Sequence, residues 1–495
     1  MPRFAVVWPL CCLGAVFAVA QGSSSPSRTS DAFTDARAKY IHHIRKNYSF
    51  PFGKDFPFLP SNAQIEGNDF IQPGAFPTAE YCGHCHRATY DQWQQSLHRN
   101  SFRAPFYRKV VDVLIDTKGI EYSRHCEGCH SPVSLFSGAL TQHSDVDRTF
   151  DGDGITCSVC HSIQSLQPTY GVGSYVMGVP AVMVDEQEKP IPGTVPFAAI
   201  MSHPERHSRA VMKEFYRTPE FCGACHKANI PRSLGGYKWL RAIGLYDEWQ
   251  ASSFSKRSPL PFYTKDYAAC QNCHMARQTG ISDDDGAKNG TLASHRWLGG
   301  NTAVPFYYGF DQQLQGTIDF LKKQRLSVDI FGLKKGDAGE IAAPLGSTPF
   351  ELRANDVLQV MVVIQNKGLG HTLIPEQRDI YEAWVEFIVR DSDGREIYHS
   401  GYLKPDGSLD DNAHSFTNRL VDKDGGLLVR HEVWARRAVA YDATIGPGRS
   451  CLVRYEFRVP QDAKGPLSIT ARVNYRHFNQ TFLNFVLGQS QTPYP

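Results

Sequence analysis

One short pattern governs what this chain can fold into: Cys-x-x-Cys-His occurs five times, beginning at Cys82, Cys126, Cys157, Cys222 and Cys270. The motifs use ten of the 13 cysteines; Cys11 and Cys12 lie in an N-terminal apolar stretch and Cys451 stands alone. Chance placement of the cysteines and histidines would supply about 0.01 such motifs in a chain of this length. Two cysteines three positions apart on one helical turn can form thioethers to the two vinyl groups of one haem, which puts the next residue, histidine, under the iron. Zinc would need a fourth ligand, usually from a second cysteine pair, and nothing in zinc chemistry asks for histidine after every pair. A thioredoxin-like pair would be single and set in a βαβ unit. Structural disulfides would not select histidine at one offset five times. The pattern predicts five covalently attached haem c groups, held by Cys82, Cys85 and His86; Cys126, Cys129 and His130; Cys157, Cys160 and His161; Cys222, Cys225 and His226; and Cys270, Cys273 and His274.

The N-terminus bears on the compartment. Arg3 precedes the apolar run Phe4 to Ala20, which is broken by Pro9 and ends Ala18-Val19-Ala20. A positive start, a short apolar segment and an A-x-A end predict a signal peptide over 1–20 and an exported protein of the periplasm or cell exterior. The net charge of +2 is too balanced to call for nucleic acid.

Residues 21–75 are rich in Ser, Pro and Gly and read as an N-terminal arm or linker. Residues 76–330 hold all five motifs, with short helical patches and too few aliphatic runs for an ordinary core, so large flat macrocycles must serve as its interior. Gln312 to Gln324 reads as a connecting helix. From about 340 to 495 the texture changes to β-rich runs, Val357–Ile364, Ala383–Val389, Leu428–Trp434, Leu452–Val459 and Leu467–Tyr475, separated by Asp-Gly and Pro-Gly turns. Phe478 to Leu487 reads as a closing helix. The expected fold is mixed: a haem-packed, mainly helical and irregular cytochrome domain followed by an antiparallel β-sandwich. Within the sandwich, alternation along Cys451 to Val459 points Cys451 inward.

The haem region also repeats itself. Glu80 to Ala88 parallels Glu220 to Ala228, and Asp91 to Lys109 aligns without gaps to Asp247 to Lys265 with 8 identities in 19, including Trp93/Trp249. Two copies of a two-motif module, with the Cys157 motif between them, account for this.

These residues, together with Trp93-x-x-Ser96-x-His98, Gly154-Ile155-Thr156 before Cys157, and Ser294-His295-Arg296-Trp297-x-Gly299-Gly300, resemble the multihaem c-type cytochromes of the cytochrome c-554 and hydroxylamine oxidoreductase superfamily. The resemblance covers about half of the chain. It implies closely stacked haems, mostly with two histidine ligands each, that move electrons; some members act on small nitrogen or sulfur compounds at a haem with an open position. Five motifs and an added C-terminal β-domain depart from the four- and eight-motif members, and the C-x-x-C-K site of pentahaem nitrite reductases is missing.

Fourteen histidines remain for the far side of the irons. The resemblance points to His98, to His295, and to His207 fifteen residues before Cys222, with His203 its competitor. His371, in Gly368-Leu369-Gly370-His371-Thr372, is a ligand candidate from the β-domain, its flanking glycines freeing the backbone for close approach. His125 and His143 compete for the fifth position, while His84 reads as a surface residue and His414, His431 and His477 as structural. Phe254 stands where the repeat would match His98, so the second module must borrow a ligand or leave an iron open. A bis-histidine iron is saturated and can only exchange electrons. The expected function is electron transfer to and from redox partner proteins, within a membrane-associated or extracellular complex. The alternative is an oxidoreductase acting on a small nitrogen or sulfur compound at one five-coordinate haem.

Overall fold

The structure, a computed structural model, describes residues 28–168, 170–256, 267–323, 325–346 and 350–488. The expected signal peptide, 1–20, and Pro261-Phe262-Tyr263, which the repeat aligns with Pro105-Phe106-Tyr107, lie outside the described residues. No helix among the described residues is long and apolar enough to cross a membrane.

The arm is more regular than its composition foretells. Arg28–Asn47 is a 20-residue helix whose Phe33, Tyr40, Ile41 and Ile44 fall on one face at helical spacing and pack on a core with Phe58, Phe70, Phe136 and Tyr175. Arg124, wholly buried, clamps the arm in place: its guanidinium donates to Ser49 O at 2.9 Å and Leu140 O at 2.8 Å and lies over the Tyr48 ring.

Beyond the arm, each motif lies on or at the end of a short helix. Cys157–His161 and Cys270–His274 are the motifs themselves, Ile120–His130 ends in its motif, and Ala79–Gly83 and Pro219–Gly223 carry the first cysteine of theirs. The longest helix of this region, Pro105–Lys118, starts on a proline and stops at Gly119, whose φ of 105° other residues avoid. Phe106, Val110, Val111 and Leu114 line its buried face. The connecting helix is present as Asp311–Leu321.

The C-terminal part is a sandwich of antiparallel sheets, as the β-rich texture foretells. One sheet runs Ile341–Ala342, Leu326–Lys335, Val357–Asn366, Ser450–Arg458; the other runs Glu396–Ser400, Glu382–Arg390, Ser468–Arg476. Val360 pairs with Tyr455 in the first and Val385 with Val473 in the second. The sheets meet where Phe387 stacks on Tyr455 at 4.1 Å. Three details differ from the sequence reading. The sandwich starts at Leu326, so 326–330 is strand and not the tail of the haem region. Leu428–Trp434 is no strand; its end forms the 3-10 turn Val433–Ala435, and the neighbouring ribbon is Asn418–Val421 with Ala438–Asp442. The apolar core also crosses the expected boundary: Phe106, Val110, Leu114, Ile230, Leu234 and Val304 belong to the same cluster as the sandwich interior. Cys451 alternates inward as expected and is half-buried beside His414, and the closing helix is Gln480–Leu487.

Candidate functional site

One cavity of about 2350 Å³ runs through the region between the arm and the sandwich, bordered by all fifteen cysteines and histidines of the motifs. A pocket for a single small ligand holds roughly 300–1,000 Å³, so this one has room for several large groups, and its walls are mainly apolar. Neighbouring motifs meet along it: the thiol of Cys82 lies against Cys157, Cys222 against Cys270, and Cys225 against Cys129.

The two repeated modules build their walls with the same contacts. Tyr90 OH donates to Glu80, and Tyr246 OH to Glu220. A Cβ at Gly83 would sit 2.7 Å from the Tyr90 ring, and one at Gly223 2.9 Å from the Tyr246 ring, which is why both motifs carry glycine after the first cysteine. Trp93 Nε1 donates to Ile155 O at 2.9 Å, and Trp249 Nε1 to Ala268 O at 2.8 Å.

Every motif histidine has its Nδ1 tied down, which leaves Nε2 as the nitrogen available to the cavity. Nδ1 donates to Ser101 O at His130 (3.0 Å), to Val211 O at His161 (2.7 Å) and to Leu298 O at His274 (2.6 Å). At His86 and His226 it meets a carboxylate instead: Asp284 at 3.0 Å and Glu376 at 2.6 Å. The titrations divide the same way. Burial lowers the pKa of His130, His161 and His274, the last to about 4. The Asp284 hydrogen bond raises that of His86. At His226 burial pulls down, but the charge of Glu376 outweighs it and the value rises to about 9.

Three of these imidazoles face a second one at nearly constant separation. Ring centroids are 6.2 Å apart for His86 and His207, 6.2 Å for His226 and His98, and 6.3 Å for His274 and His371. Two imidazoles sharing one metal ion through bonds of about 2.0 Å would have centroids about 6.3 Å apart. His295 is close enough to His161 for the charge of His161 to help lower its pKa, after burial, to about 4. The Nδ1 atoms of His207, His295 and His371 are anchored on Val182 O, Ala293 O and Thr372 O; that of His98 is buried without a partner. Burial lowers the pKa of His98, to about 3, and of His207 and His371, so these rings are neutral, the state a metal ligand needs. The donor set, its spacing and the cavity walls fit bis-histidine haem.

The structure brings His207 and not its competitor to this position; His203 is exposed beside Glu205. Of the two candidates for the fifth place, neither is poised for it. His125 spends Nε2 on Asn229 O at 2.8 Å, and His143 is exposed on a left-handed turn. The glycines beside His371 border the cavity; a Cβ at Gly370 would meet Trp249 and Phe254, and one at Gly368 Arg325. The loop thus lies against the Phe254 position that lost its histidine. Sequence reasoning missed Asp284 and Glu376, whose partners are 198 and 150 residues away.

The family Cytochrome c554 and c-prime matches residues 81–162. No curated protein sequence matches significantly. Among solved structures, a penta-heme cytochrome c552 from Thermochromatium tepidum superposes with a TM-score of 0.50 at 16% identity, covering 83% of this chain and 94% of that one. That share exceeds the two thirds of the chain that precede residue 331, so the likeness in fold runs on into the sandwich. The Pseudomonas fluorescens alkylpurine DNA glycosylase AlkC, bound to DNA containing an abasic site analogue, overlaps 38% of each chain at 9% identity with a TM-score of 0.13, too slight to bear on the fold. The resemblance to multihaem c-type cytochromes is borne out by the family match and the first structure.

Proposed function

We propose that the chain is an exported pentahaem c-type cytochrome that passes electrons between redox partner proteins along a row of covalently bound haems. The ten motif cysteines hold the macrocycles, and His86, His130, His161, His226 and His274 bind the irons from one side. His207, His295, His98 and His371 bind from the other side at His86, His161, His226 and His274. The observation that carries the reading is the set of facing imidazoles 6.2–6.3 Å apart, each motif histidine already anchored through Nδ1. The fold shared with a protein described as a penta-heme cytochrome supports the count.

When bound, the haems would supply one-electron chemistry, and at the four irons with two imidazoles no place would be left for substrate. The chain's own residues hold the ligand rings in one orientation through their Nδ1 bonds, so little has to move when an electron arrives. The buried, mainly apolar walls keep water off the macrocycles. Intact mass should show five haem additions on a chain lacking residues 1–20, and the oxidised protein should be low-spin at these four irons. Haem released by acid-acetone extraction would overturn covalent attachment. The second reading, reduction or oxidation of a small nitrogen or sulfur compound, rests on the iron of His130, which none of the four named histidines faces.

The two carboxylates make a separate prediction. An anion on the Nδ1–H of a ligating histidine raises its basicity and favours the ferric state. Outer-shell changes of this kind alter equilibria about 10–100-fold, and a tenfold change is about 59 mV for one electron. Glu376→Gln is therefore expected to raise the potential of the His226 haem by roughly 60–120 mV, read by spectroelectrochemical titration. An unchanged set of potentials would show that the carboxylate does not tune this iron.

A further inference from the structure

The sandwich carries a second histidine prepared for ligation, and it stands at the position left over. We propose that His431, held by Asp379, is the sixth ligand of the iron bound by His130. The proposal rests on the pentahaem reading above and completes it.

His431 follows the rule that the motif histidines and three of their four partners obey. Its Nδ1 lies 2.9 Å from both carboxylate oxygens of Asp379, and that carboxylate is 4% exposed. A ligating histidine characteristically gives its second ring N–H to a carboxylate or a carbonyl, which fixes the tautomer and directs the other nitrogen at the metal. Both residues border the haem cavity.

The surrounding packing brings it to that place. Two residues after His431, Val433 opens the 3-10 turn whose Trp434 is buried in one cluster with Phe106, Val110 and Leu114. Those three belong to the helix whose Tyr107 stacks on the His130 ring at 4.0 Å and 9°. Two residues after Asp379, Tyr381 stacks on His477, and Phe478 packs on Phe106 at 4.7 Å. The segments carrying His431 and Asp379 are thus seated against the helix beside His130. His431 itself has a φ of 61°, a left-handed conformation that a side-chain-bearing residue keeps only where the surroundings impose it.

Most of the other histidines are committed elsewhere or stand in solvent. His125 is bonded to Asn229 and His143 is exposed. His43 pairs with Asp145 and His399 with Glu386 and Glu396; exposed His84 stacks on Phe197. His477 is a competitor: it is buried and borders the cavity, and its Nε2 has no partner, but its Nδ1 meets the Tyr475 hydroxyl at 3.1 Å and not a carboxylate. With His431 the ligand list closes at ten histidines for five irons. The sandwich then supplies two ligands, His371 and His431, and anchors two imidazoles with Glu376 and Asp379. Saturation of the His130 iron also removes the open site that the oxidoreductase reading needs.

The test is the electron paramagnetic resonance spectrum of the oxidised holoprotein and three variants, each first weighed by intact mass. Fewer than five haem additions on the wild-type chain would refute the pentahaem reading whatever His431 does. With five haems, the proposal requires a wholly low-spin wild type and one high-spin iron in five in His431→Ala, returned to low spin by added imidazole. His431→Met keeps a sixth ligand of another kind and should stay low-spin while raising one potential; it also serves if the alanine variant does not fold. Asp379→Asn should stay low-spin and raise the same potential. A wild type with one high-spin iron that His431→Ala leaves unaltered would overturn the proposal and make His431 a residue beside an open iron. A low-spin wild type unaffected by His431→Ala and His431→Met would overturn it in favour of another ligand.

Discussion

Produced without covalent attachment of haem, the chain is expected to leave residues 78–300 unfolded. The reason is the scale of the cavity against the scale of protein stability. Unfilled apolar volume costs about 24 cal/mol per Å³ in engineered cores; carried to about 2350 Å³, that is on the order of 50 kcal/mol, whereas a domain has roughly 5–15 kcal/mol to lose. Water could enter from the open side, but the walls offer it few polar partners. The loss should spread beyond the motifs, because Phe106, Val110 and Leu114 share their cluster with the sandwich interior. Replacing the motif cysteines by serine and following far-UV circular dichroism and limited proteolysis tests this. A haem-free chain with a cooperative transition and a protease-resistant 78–300 region would show that the walls stand alone.

How far the sequence carried this picture depends on how local each signal is. The motifs are five-residue turns, so their chemistry is readable directly. The repeat is readable too, because Glu80/Glu220, Gly83/Gly223 and Trp93/Trp249 do the same jobs in both copies. The arm helix left a readable trace at Phe33, Tyr40, Ile41 and Ile44, which the Ser, Pro and Gly of its flanks hid. The first sandwich strand is harder: its register shifts between Ile330 and Gly332, breaking the alternation, and Gly332 is there because a Cβ would come within 2.8 Å of Ala343. What no local pattern shows are the long pairs, His226 with Glu376 and His431 with Asp379. A histidine between Arg430 and Glu432 looks like any surface histidine until the fold places an aspartate 52 positions away against it.

His371→Ala is expected to open one coordination position and to loosen the sandwich from the haem region in the same step. The loop that follows the strand Val357–Asn366 is the reason. Its His371 faces His274 at 6.3 Å, Glu376 holds His226, and Arg378 pairs with Glu248, while the Thr372 amide donates to Glu248 at 2.9 Å. Asn366 Nδ2 in turn holds the carbonyl of His371 at 2.9 Å, so the ligand stands on a strand end and not on a free loop. On the proposed ligation by His371, binding of the iron and docking of the sandwich form one cooperative event. The variant should gain a high-spin iron at His274, and amides of 366–381 and of the helix Leu245–Ala251 should exchange faster. A fully low-spin spectrum with unchanged exchange in His371→Ala would reduce His371 to an ordinary loop residue and return the His274 iron to some other ligand.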